Sequence, residues 1–530
     1  QEVEVSSSGK VIRVLNTQPA VDGDDVVLTL DMELQQVATQ ALQKNIENVR
    51  AEQERILSEN LETYQKKAKD NDVSNIKLAE TGSVVVMDIK TGEVLAIDSN
   101  PSYDLNLFTG GISTEDYKSL SEDPRLPLFN RAIASKTMPG SIFKMSIALA
   151  GLEEGVVTID EEIDDEGPYT KYTTTTVGAP RCWVNPYYSR HADCDVVKAL
   201  EVSCNYYFFT VADRLGIDLI NKWCSKLGLD SLTGIEIPGE TAGQIGGQKV
   251  LFDNAKENIG TGVARLVFNQ LVRQLRGYCE KLEKEVDDAA LETCAEKLLR
   301  IIDDREVSEW KSDILRIMRE DLGIAETVTN NNYWHAEIYS ILLELRWNPN
   351  QTVRTGIGQA VVSVTPIAVA RYMSALLNGG KVYNATIIKR IVDAAGKVVK
   401  EEEPQLVEDL GVSAQNLEAI KEGMKKVVSL EDGGTAGTAY QNFKYVDQVG
   451  GKTGSAQVST SENNIDLENT AWHVAFAPYD DPEIVVVVCI PNGKAGSMAV
   501  STAQDIIEFY LDRKYNVAKE NIPGTNELLP

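Results

Sequence analysis

The sequence predicts an α+β protein, and three groups of signals support this prediction. Two apolar stretches, residues 82–88 and 93–98, flank a Lys-Thr-Gly tripeptide and are typical of a β-hairpin. Three further strand signals lie near the C-terminus, and most of the chain between has the apolar spacing of helices. Strands at both ends of a domain, with helices between them, favour an α+β architecture.

Composition limits the classes of function open to the chain. With 530 residues it is long enough for two or more domains. The formal net charge of −28 argues against nucleic acid as a partner, because phosphate binding needs a basic surface. No apolar run approaches the roughly 18–20 residues that span a bilayer. The longest apolar run, residues 484–490, fits a buried strand.

The N-terminal part is predicted to be the remnant of a second domain. Residues 1–30 are polar and strand-like, which indicates the end of a non-catalytic pedestal, and residues 31–530 form the main domain. Apolar residues then recur at helical spacing from residue 33 to about 70. The chain begins at Gln1 and has no signal peptide, so it is either a soluble protein or one whose membrane-anchored N-terminus has been removed.

A helical insertion is predicted within the main domain, over about residues 252–350. Helical spacing with dense charge predicts helices at residues 266–276, 279–286, 289–302 and 310–322. Surface helices with no separate task explain this pattern as well as a binding role does. Cys279 and Cys294 can pair across a helical hairpin, but we interpret them as two buried thiols.

The remaining elements alternate between helices and strands. In chain order they are predicted as a short helix at 196–200, helices at 365–377 and 416–430, strands at 446–458, 470–477 and 483–490, and a closing helix at 501–511. Pro366 stands near the start of its helix, which is a favoured place for proline. An Asp-Asp-Pro sequence at residues 480–482 predicts the turn between the last two strands.

A serine and a lysine stand three residues apart at the predicted start of a buried helix. Pro139 and Gly140 end the preceding segment, and Ser141 begins a nearly continuous apolar run. Residues i and i+3 share a helix face, so Ser141 and Lys144 are predicted to touch. A buried neutral lysine can take the proton of a serine nucleophile, and a helix N-terminus favours an oxyanion. Taken alone, this short pattern is better explained by an N-capping serine and a solvent-directed lysine.

Two further motifs favour the catalytic interpretation over the structural one. Ser203 and Asn205 form a Ser-x-Asn motif, and residues 452–454 form a Lys-Thr-Gly motif. Their order after the Ser-x-x-Lys motif matches that of the penicillin-recognising acyl-serine enzymes. All three motifs in this order, in a chain of sufficient length, predict a serine acyl-transferase.

At these motifs the chain resembles the class B penicillin-binding proteins, the D,D-transpeptidases that cross-link peptidoglycan. The resemblance runs from about residue 24 to 510, apart from insertions, and is greatest to penicillin-binding protein 2 of the elongation type. The further segments that carry it are residues 28–31, 130–132, 356–359 and 451–457. The resemblance implies a transpeptidase fold in which helices flank one antiparallel sheet. That sheet contains the early hairpin and the late strands, and brings Lys452 next to Ser141.

The resemblance also implies a role for each residue of the first two motifs. Ser141 attacks the penultimate D-alanine carbonyl of a stem peptide, and Lys144 acts as its general base. Ser203 relays a proton between Lys144 and the leaving amine, and Asn205 donates or accepts a hydrogen bond with the substrate amide.

The third motif is expected to bind the substrate and complete the oxyanion hole. Lys452 and Thr453 supply a positive charge and a hydroxyl group for the terminal carboxylate. Gly454 has no Cβ, so a substrate strand can lie close along the sheet edge. By resemblance, the backbone N–H groups of Ser141 and Ser455 form the oxyanion hole.

Ligands, partners and location are implied in the same way. The expected ligands are peptidoglycan stem peptides and β-lactams, with no cofactor needed for catalysis. The family works at the extracytoplasmic face of the cell membrane, which implies a membrane anchor N-terminal to this chain. A glycosyltransferase partner is also implied.

Three rival functions are weighed against transpeptidation. A Ser-His-Asp triad would need a suitable histidine, but His335 lies in the insertion and His473 alternates along a strand. Neither has a G-x-S-x-G partner, so we interpret both as structural. A β-lactamase must also activate a deacylating water, and we find no clear residue for that task. A non-enzymatic β-lactam sensor is usually a compact terminal domain, which the insertion and pedestal remnant argue against.

Metal-ligand residues surround the second motif: Cys182, His191, Cys194 and Cys204. Cys₃His is an ordinary tetrahedral zinc set, although this spacing is not that of a standard finger. Asp193 and Asp195 are also available as ligands. A disulfide and buried free thiols remain alternative interpretations of these cysteines. Cys204 stands between two residues that should face the cleft, so its side chain should point away. The sequence therefore predicts a structural zinc behind the Ser-x-Asn motif, as in a similar subset of class B enzymes.

Overall fold

The computed structural model describes residues 2–7, 10–16, 23–173, 176, 178–260, 262–302, 309–429, 437–440, 443–457 and 464–517. Within them the β-strands are β1 (Glu2–Val5), β2 (Val11–Asn16), β3 (Asp25–Leu28), β4 (Gly82–Asp88), β5 (Val94–Asn100), β6 (Lys381–Tyr383), β7 (Ile388–Val392), β8 (Val398–Glu401), β9 (Leu406–Asp409), β10 (Gly450–Ala456), β11 (Thr470–Ala477) and β12 (Ile484–Ile490). The α-helices of the same residues are α1 (Met32–Glu59), α2 (Leu61–Lys67), α3 (Thr114–Glu122), α4 (Arg131–Ala134), α5 (Lys144–Glu153), α6 (Val196–Glu201), α7 (Asn205–Lys226), α8 (Gln248–Leu251), α9 (Val263–Lys281), α10 (Asp288–Leu299), α11 (Trp310–Leu322), α12 (Glu326–Asn331), α13 (Trp334–Leu343), α14 (Pro349–Thr355), α15 (Pro366–Leu377), α16 (Ala414–Val428) and α17 (Val500–Val517).

A five-stranded antiparallel sheet lies at the centre of the molecule, in the order β10-β11-β12-β4-β5. The early hairpin and the three late strands therefore share one sheet, which confirms the predicted α+β class. Strand β12 is apolar at every position because helices cover both faces of the sheet. Val485 and Val487 belong to one core cluster, whereas Val486 and Val488 belong to the other.

The two cores place helices on opposite faces of this sheet. One core contains residues of α5, α7, α15 and α16, for example Ile147, Phe208, Tyr372 and Ile420. The other contains residues of α1 and α17, for example Leu42 and Ile507. Strand β10 is the free edge of the sheet, and it lies against the turn that begins the α5 segment.

That turn, Gly140–Phe143, is a 3-10 helix, and the α-helix proper starts only at Lys144. The predicted helix at Ser141 therefore opens with one tighter turn. Gly140 has φ +57°, and a Cβ there would lie 2.8 Å from the carbonyl oxygen of Ser455. Its amide also donates to the carbonyl of Gly358 at 3.0 Å. Glycine is thus required where the nucleophile turn passes between two backbone segments.

The inserted helices α9–α13 pack around a hydrophobic cluster of their own, separate from the two sheet cores. The helix predicted at residues 279–286 is wrong in its bounds. Helix α9 continues through Cys279 to Lys281, and the chain then turns at Glu283, which has φ +50°, before Asp287 caps α10. Cys279 and Cys294 are buried free thiols.

The N-terminal strands form two small sheets outside the central one. Strands β1 and β2 pair with each other, and β3 joins β7 and β8. The predicted pedestal boundary at residue 30 and the insertion bounds stay predictions, as does the strand end predicted at residue 458, which lies outside the described residues. Among the described helices, none is both long and apolar enough to cross a membrane.

Candidate active site

The fold brings the Lys-Thr-Gly strand directly against the nucleophile turn. A Cβ on Gly454 would lie 2.8 Å from the carbonyl oxygen of Pro139 and 3.2 Å from the amide nitrogen of Ile142. Ser141, between these two contacts, is partly exposed, and Ser455 is exposed on the strand edge. The absence of a side chain at Gly454 therefore allows the close approach of two motifs that are far apart in sequence.

Lys144 joins the first motif to the second. Its side chain is fully buried, and its Nζ donates to the Ser203 carbonyl at 2.8 Å, to Ser203 Oγ at 3.1 Å and to Asn205 Oδ1 at 2.7 Å. The Lys144 amide donates to the Ser141 carbonyl, but within the described part of the chain no hydrogen bond joins their side chains. The lysine is thus held against the Ser-x-Asn wall, one helical turn from the serine.

Burial changes the protonation of both site lysines. Desolvation lowers the pKa of Lys144 to about 8, although the Cys182 and Cys204 sulfurs oppose the shift. Desolvation and the charge of Lys144 lower the pKa of Lys452 well below 10.5. A neutral amine at Lys144 is therefore accessible near neutral pH, as a general base requires.

The positive charge of Lys452, in the third motif, has no carboxylate partner among the described residues. Lys452 is fully buried, and its Nζ donates to the carbonyl of Thr453 at 3.2 Å. Thr453 Oγ1 donates to Thr438 Oγ1 at 2.9 Å. An arriving carboxylate would favour the charged form of Lys452 and so reverse the effect of burial on its pKa.

The second motif is shaped by a tight turn between α6 and α7. Ser203 has φ +54°, a left-handed conformation that is uncommon for residues other than glycine. Cys204 is the N-cap of α7, and its Sγ accepts from the amide of Tyr207 at 3.4 Å. This turn points Ser203 and Asn205 at Lys144 and leaves the Cys204 side chain fully buried behind them.

A cluster of buried metal-ligand residues lies behind this turn: Asp165, Cys182, His191 and Cys204. Their ligand atoms all lie within 4.8 Å of one another. This group contains three of the four predicted ligands, and Asp165 stands in it where the sequence predicts Cys194. Cys194 Sγ instead donates to the carbonyl of His191 at 3.4 Å.

The two alternative carboxylate ligands are also excluded from this cluster. Asp195 caps helix α6 by accepting from the amide of Lys198 at 2.8 Å. Asp193 is not a member of the group. Sequence reasoning missed Asp165, since it lies in an acidic run that is typical of a solvent-exposed loop.

Neither of the two remaining histidines is placed for a Ser-His-Asp triad. His335 lies on α13, whose buried residues belong to the hydrophobic cluster of the inserted helices. His473 lies on β11, and burial together with Lys452 lowers its pKa to about 3. In the described residues neither ring nitrogen of His473 has a hydrogen-bond partner. The structural role predicted for both rings stays a prediction.

The fold and the site together define the acyl-serine class, in which a helix-borne serine and lysine face a sheet edge and a Ser-x-Asn turn. Residues 82–276 and 325–508, more than half of the chain, match the family model described as penicillin binding protein transpeptidase domain. The chain therefore belongs to the penicillin-binding protein transpeptidase family. The interruption of the match, at residues 277–324, falls within the inserted helices.

Individual relatives agree with this assignment. The chain is 30% identical to the peptidoglycan D,D-transpeptidase MrdA of Haemophilus influenzae over 99% of its length and 62% of the relative. It is 25% identical to MrdA of Escherichia coli K12 over 98% of its length and 63% of that protein. The chain thus spans a little under two thirds of the length of these relatives.

Solved structures show the same fold. Penicillin-binding protein 2 of Pseudomonas aeruginosa matches with a TM-score of 0.58 and 24% identity, over 93% of this chain and 79% of that one. A chain from a peptidoglycan synthase complex, described as coordinating polymerization and crosslinking, matches with a TM-score of 0.60 and 25% identity. That match covers 99% of this chain and 68% of the other.

Proposed function

We propose that this chain is the catalytic part of a D,D-transpeptidase that cross-links peptidoglycan stem peptides and is covalently acylated by β-lactams. The observation that carries the proposal is the fully buried Lys144, which binds Ser203 and Asn205 within reach of the Lys-Thr-Gly strand. Mass spectrometry after addition of a penicillin tests it. One adduct per chain is expected, whereas a chain without any adduct would overturn the proposal.

The proposed reaction proceeds through an ester on Ser141. Its Oγ attacks the penultimate D-alanine carbonyl, and its proton passes to the neutral Lys144. The bond to the terminal D-alanine breaks, and the leaving amine takes a proton through Ser203 Oγ, which Lys144 contacts at 3.1 Å. The amine of a second stem peptide then attacks the ester and gives up a proton as Ser141 regains one. The backbone amides of Ser141 and Ser455 stabilise both oxyanions.

The lifetime of the β-lactam adduct separates this proposal from its alternatives. A transpeptidase holds the adduct for a long time, whereas a β-lactamase hydrolyses it within seconds. A sensor would be acylated but would not join two stem peptides. A crosslinking assay with stem-peptide donor and acceptor therefore completes the distinction.

The proposed setting is the extracytoplasmic face of the cell membrane. An anchor N-terminal to this chain would hold it there, as the resemblance to elongation-type enzymes implies. A polymerase of glycan strands is the proposed partner, supported by the 25% identity to a chain from a peptidoglycan synthase complex. Co-purification of the full-length protein with a glycosyltransferase would test this part.

Replacing Lys452 by methionine is expected to weaken β-lactam capture by about 10- to 100-fold, the effect of one charge-assisted hydrogen bond. The loss should appear in the dissociation constant before acylation, with little change in the lifetime of the adduct. Stopped-flow acylation measures both quantities. Lys444→Met, which removes an exposed cation paired with Asp512, is the control. Unchanged acylation efficiency would remove Lys452 from the site.

The proposal includes a structural zinc held by Asp165, Cys182, His191 and Cys204. The residues fit the metal: Asp165 Oδ2 is buried without a hydrogen-bond partner and lies 3.9 Å from His191 Nδ1, and Cys182 Sγ lies 3.2 Å from the same nitrogen. Adjacent ligands of a tetrahedral zinc lie about 3.3–3.8 Å apart. Zinc would cross-link the segments behind the Ser-x-Asn turn, and four protein ligands leave it no open position for catalysis.

Two members of the cluster have raised pKa values. Burial and Cys182 raise the pKa of Asp165 to about 7. Cys182 lowers the pKa of Cys204, but Cys194 and burial outweigh it and raise that pKa to about 12. A divalent cation favours the ionised forms of both groups, so its binding releases protons.

Purified protein is expected to carry about one zinc per chain, and Asp165→Asn or Cys204→Ser should remove it. Loss of the metal should lower the melting temperature by several degrees, because binding stabilises only the folded chain. Elemental analysis and thermal unfolding measure the two effects. Cys194→Ser is the matched control and should keep its zinc. Zinc lost from Cys194→Ser but retained by Asp165→Asn would restore the ligand set that the sequence suggested.

A further inference from the structure

The indole of Trp183 makes a hydrogen bond to the Ser-x-Asn motif that the reaction above leaves unexplained. Its Nε1 donates to the Ser203 carbonyl at 3.1 Å, and Lys144 Nζ donates to the same oxygen at 2.8 Å. A carbonyl oxygen has two lone pairs, so these two donors saturate it. The ring itself is 60% exposed, so burial of apolar surface does not account for its position.

We propose that Trp183 is a positioning residue that fixes the Ser203 carbonyl and thereby sets Lys144 for acyl transfer. This inference rests on the proposed transpeptidase function. It concerns the orientation of groups already in the site and adds no chemical step.

The first argument is the conformation of Ser203. A left-handed φ of +54° costs free energy for a residue with a Cβ, so the surroundings must hold it. The backbone supplies two bonds, from Ser203 N–H to Leu200 at 3.3 Å and from Cys204 N–H to Ala199 at 2.9 Å. The Cys204 N–H lies in the same peptide plane as the Ser203 carbonyl, so its bond to Ala199 holds that plane from the opposite side. On the carbonyl side, the Trp183 indole is the only described donor besides the lysine.

The second argument is the dependence of Lys144 on Ser203. Of the three acceptors around Lys144 Nζ, two belong to Ser203 and the third is Asn205 Oδ1. Rotation of the Ser203 carbonyl would therefore move the hydroxyl relay and the amine together. Without the indole, the bond from Cys204 N–H to Ala199 and the mobile end of the lysine would alone oppose such a rotation.

The third argument is that Trp183 is itself held in place. Its ring contacts the His191 ring edge-on at 5.4 Å. The preceding residue, Cys182, accepts from the amide of Asn205 at 3.2 Å. Trp183 thus hydrogen-bonds to Ser203 and Cys182 to Asn205, so this segment supports both polar residues of the motif.

The test is Trp183→Phe, which keeps an aromatic ring and removes only the N–H donor. Acylation of the whole chain by a fluorescent penicillin is followed by stopped flow and resolved into a dissociation constant and an acylation rate constant. We expect the rate constant to fall about three- to tenfold, the effect of one hydrogen bond. The dissociation constant should stay within about twofold, and the final labelling, zinc content and melting temperature should match the parent.

The matched control is Trp223→Phe, which removes an indole donor to Glu154 Oε1, 2.8 Å away at the far end of the nucleophile helix. Its acylation rate constant should equal that of the parent. Trp183→Ala serves as a second variant and should slow acylation at least as much as Trp183→Phe.

Several results would overturn the inference. An unchanged rate constant in Trp183→Phe would show that the N–H bond does not position the lysine. A weaker dissociation constant with a normal rate constant would make the ring a binding surface instead. Reduced labelling in proportion to a lower melting temperature would assign the residue to folding. A parent chain that takes no label would overturn the proposed function, and this inference with it.

Discussion

Replacement of Ser141 by alanine is expected to reduce covalent labelling by penicillin to background. Ser141 Oγ is the hydroxyl that stands on the turn between Gly140 and the helix, against the exposed edge of β10. The parent should gain the mass of one β-lactam per chain, and peptide mapping should place it on Ser141. Intact-protein mass spectrometry of parent and variant makes the comparison directly.

Ser146→Ala is the matched control for this substitution. Ser146 lies on the same helix, but it is buried and its Oγ donates to the carbonyl of Phe143 at 2.7 Å. Its replacement should leave labelling intact. An adduct on Ser203, the other hydroxyl close to Lys144, would transfer the role of nucleophile to that residue. Label that persists on the Ser141→Ala chain at any other position would also contradict the assignment.

The three motifs could be recognised in the sequence because each is short and chemically demanding. The spacing of Ser141 and Lys144 was sufficient to place both on one turn, even though that turn is a 3-10 helix at its start. The sheet order then explains why the Lys-Thr-Gly motif lies next to that turn, since β10 is the edge strand beside it. Spacing alone could not predict where the Lys144 side chain points. The left-handed turn at Ser203 determines this, because it presents the acceptors of the lysine.

The cluster of candidate metal-ligand residues could be predicted only in part. Cysteines near the second motif were recognisable by residue type, but their geometry depends on a contact between distant segments. An isolated bridge pairs Ile163 with Cys194 and brings Asp165 to the cluster. A bridge of two residues leaves no periodic pattern, so the sequence carried no signal that could separate Asp165 from its acidic neighbours.

The end of helix α9 was mispredicted for a similar reason. Residues 279–286 are rich in good helix formers, and local propensity therefore predicts a separate helix over them. The chain instead adopts a left-handed conformation at Glu283, and the Lys284 amide donates to the Cys279 carbonyl at 2.9 Å. This turn lets α10 fold back on α9 and bury the apolar face of both, a tertiary effect that propensity does not contain.

Loss of the Lys144 amine is expected to slow acylation of Ser141 by about 10²- to 10⁴-fold, the usual contribution of a general base. Because the side chain is fully buried, Lys144→Ala also leaves a cavity, and Lys144→Met keeps most of the volume without the amine. Rates of β-lactam acylation and melting temperatures are compared for both variants. Lys425→Met is the control, because Lys425 is a partly buried lysine that donates to the carbonyl of Val446 instead.

The pH dependence of acylation identifies which form of Lys144 reacts. The amine accepts a proton only when neutral, and burial lowers its pKa to about 8. The parent's acylation rate should therefore rise about tenfold per pH unit below pH 8 and level off above it, since the neutral fraction follows that titration. In Lys144→Met this rise should disappear together with the rate. A variant that acylates at nearly the parent's rate, with the same pH profile, would move the role of base to another group.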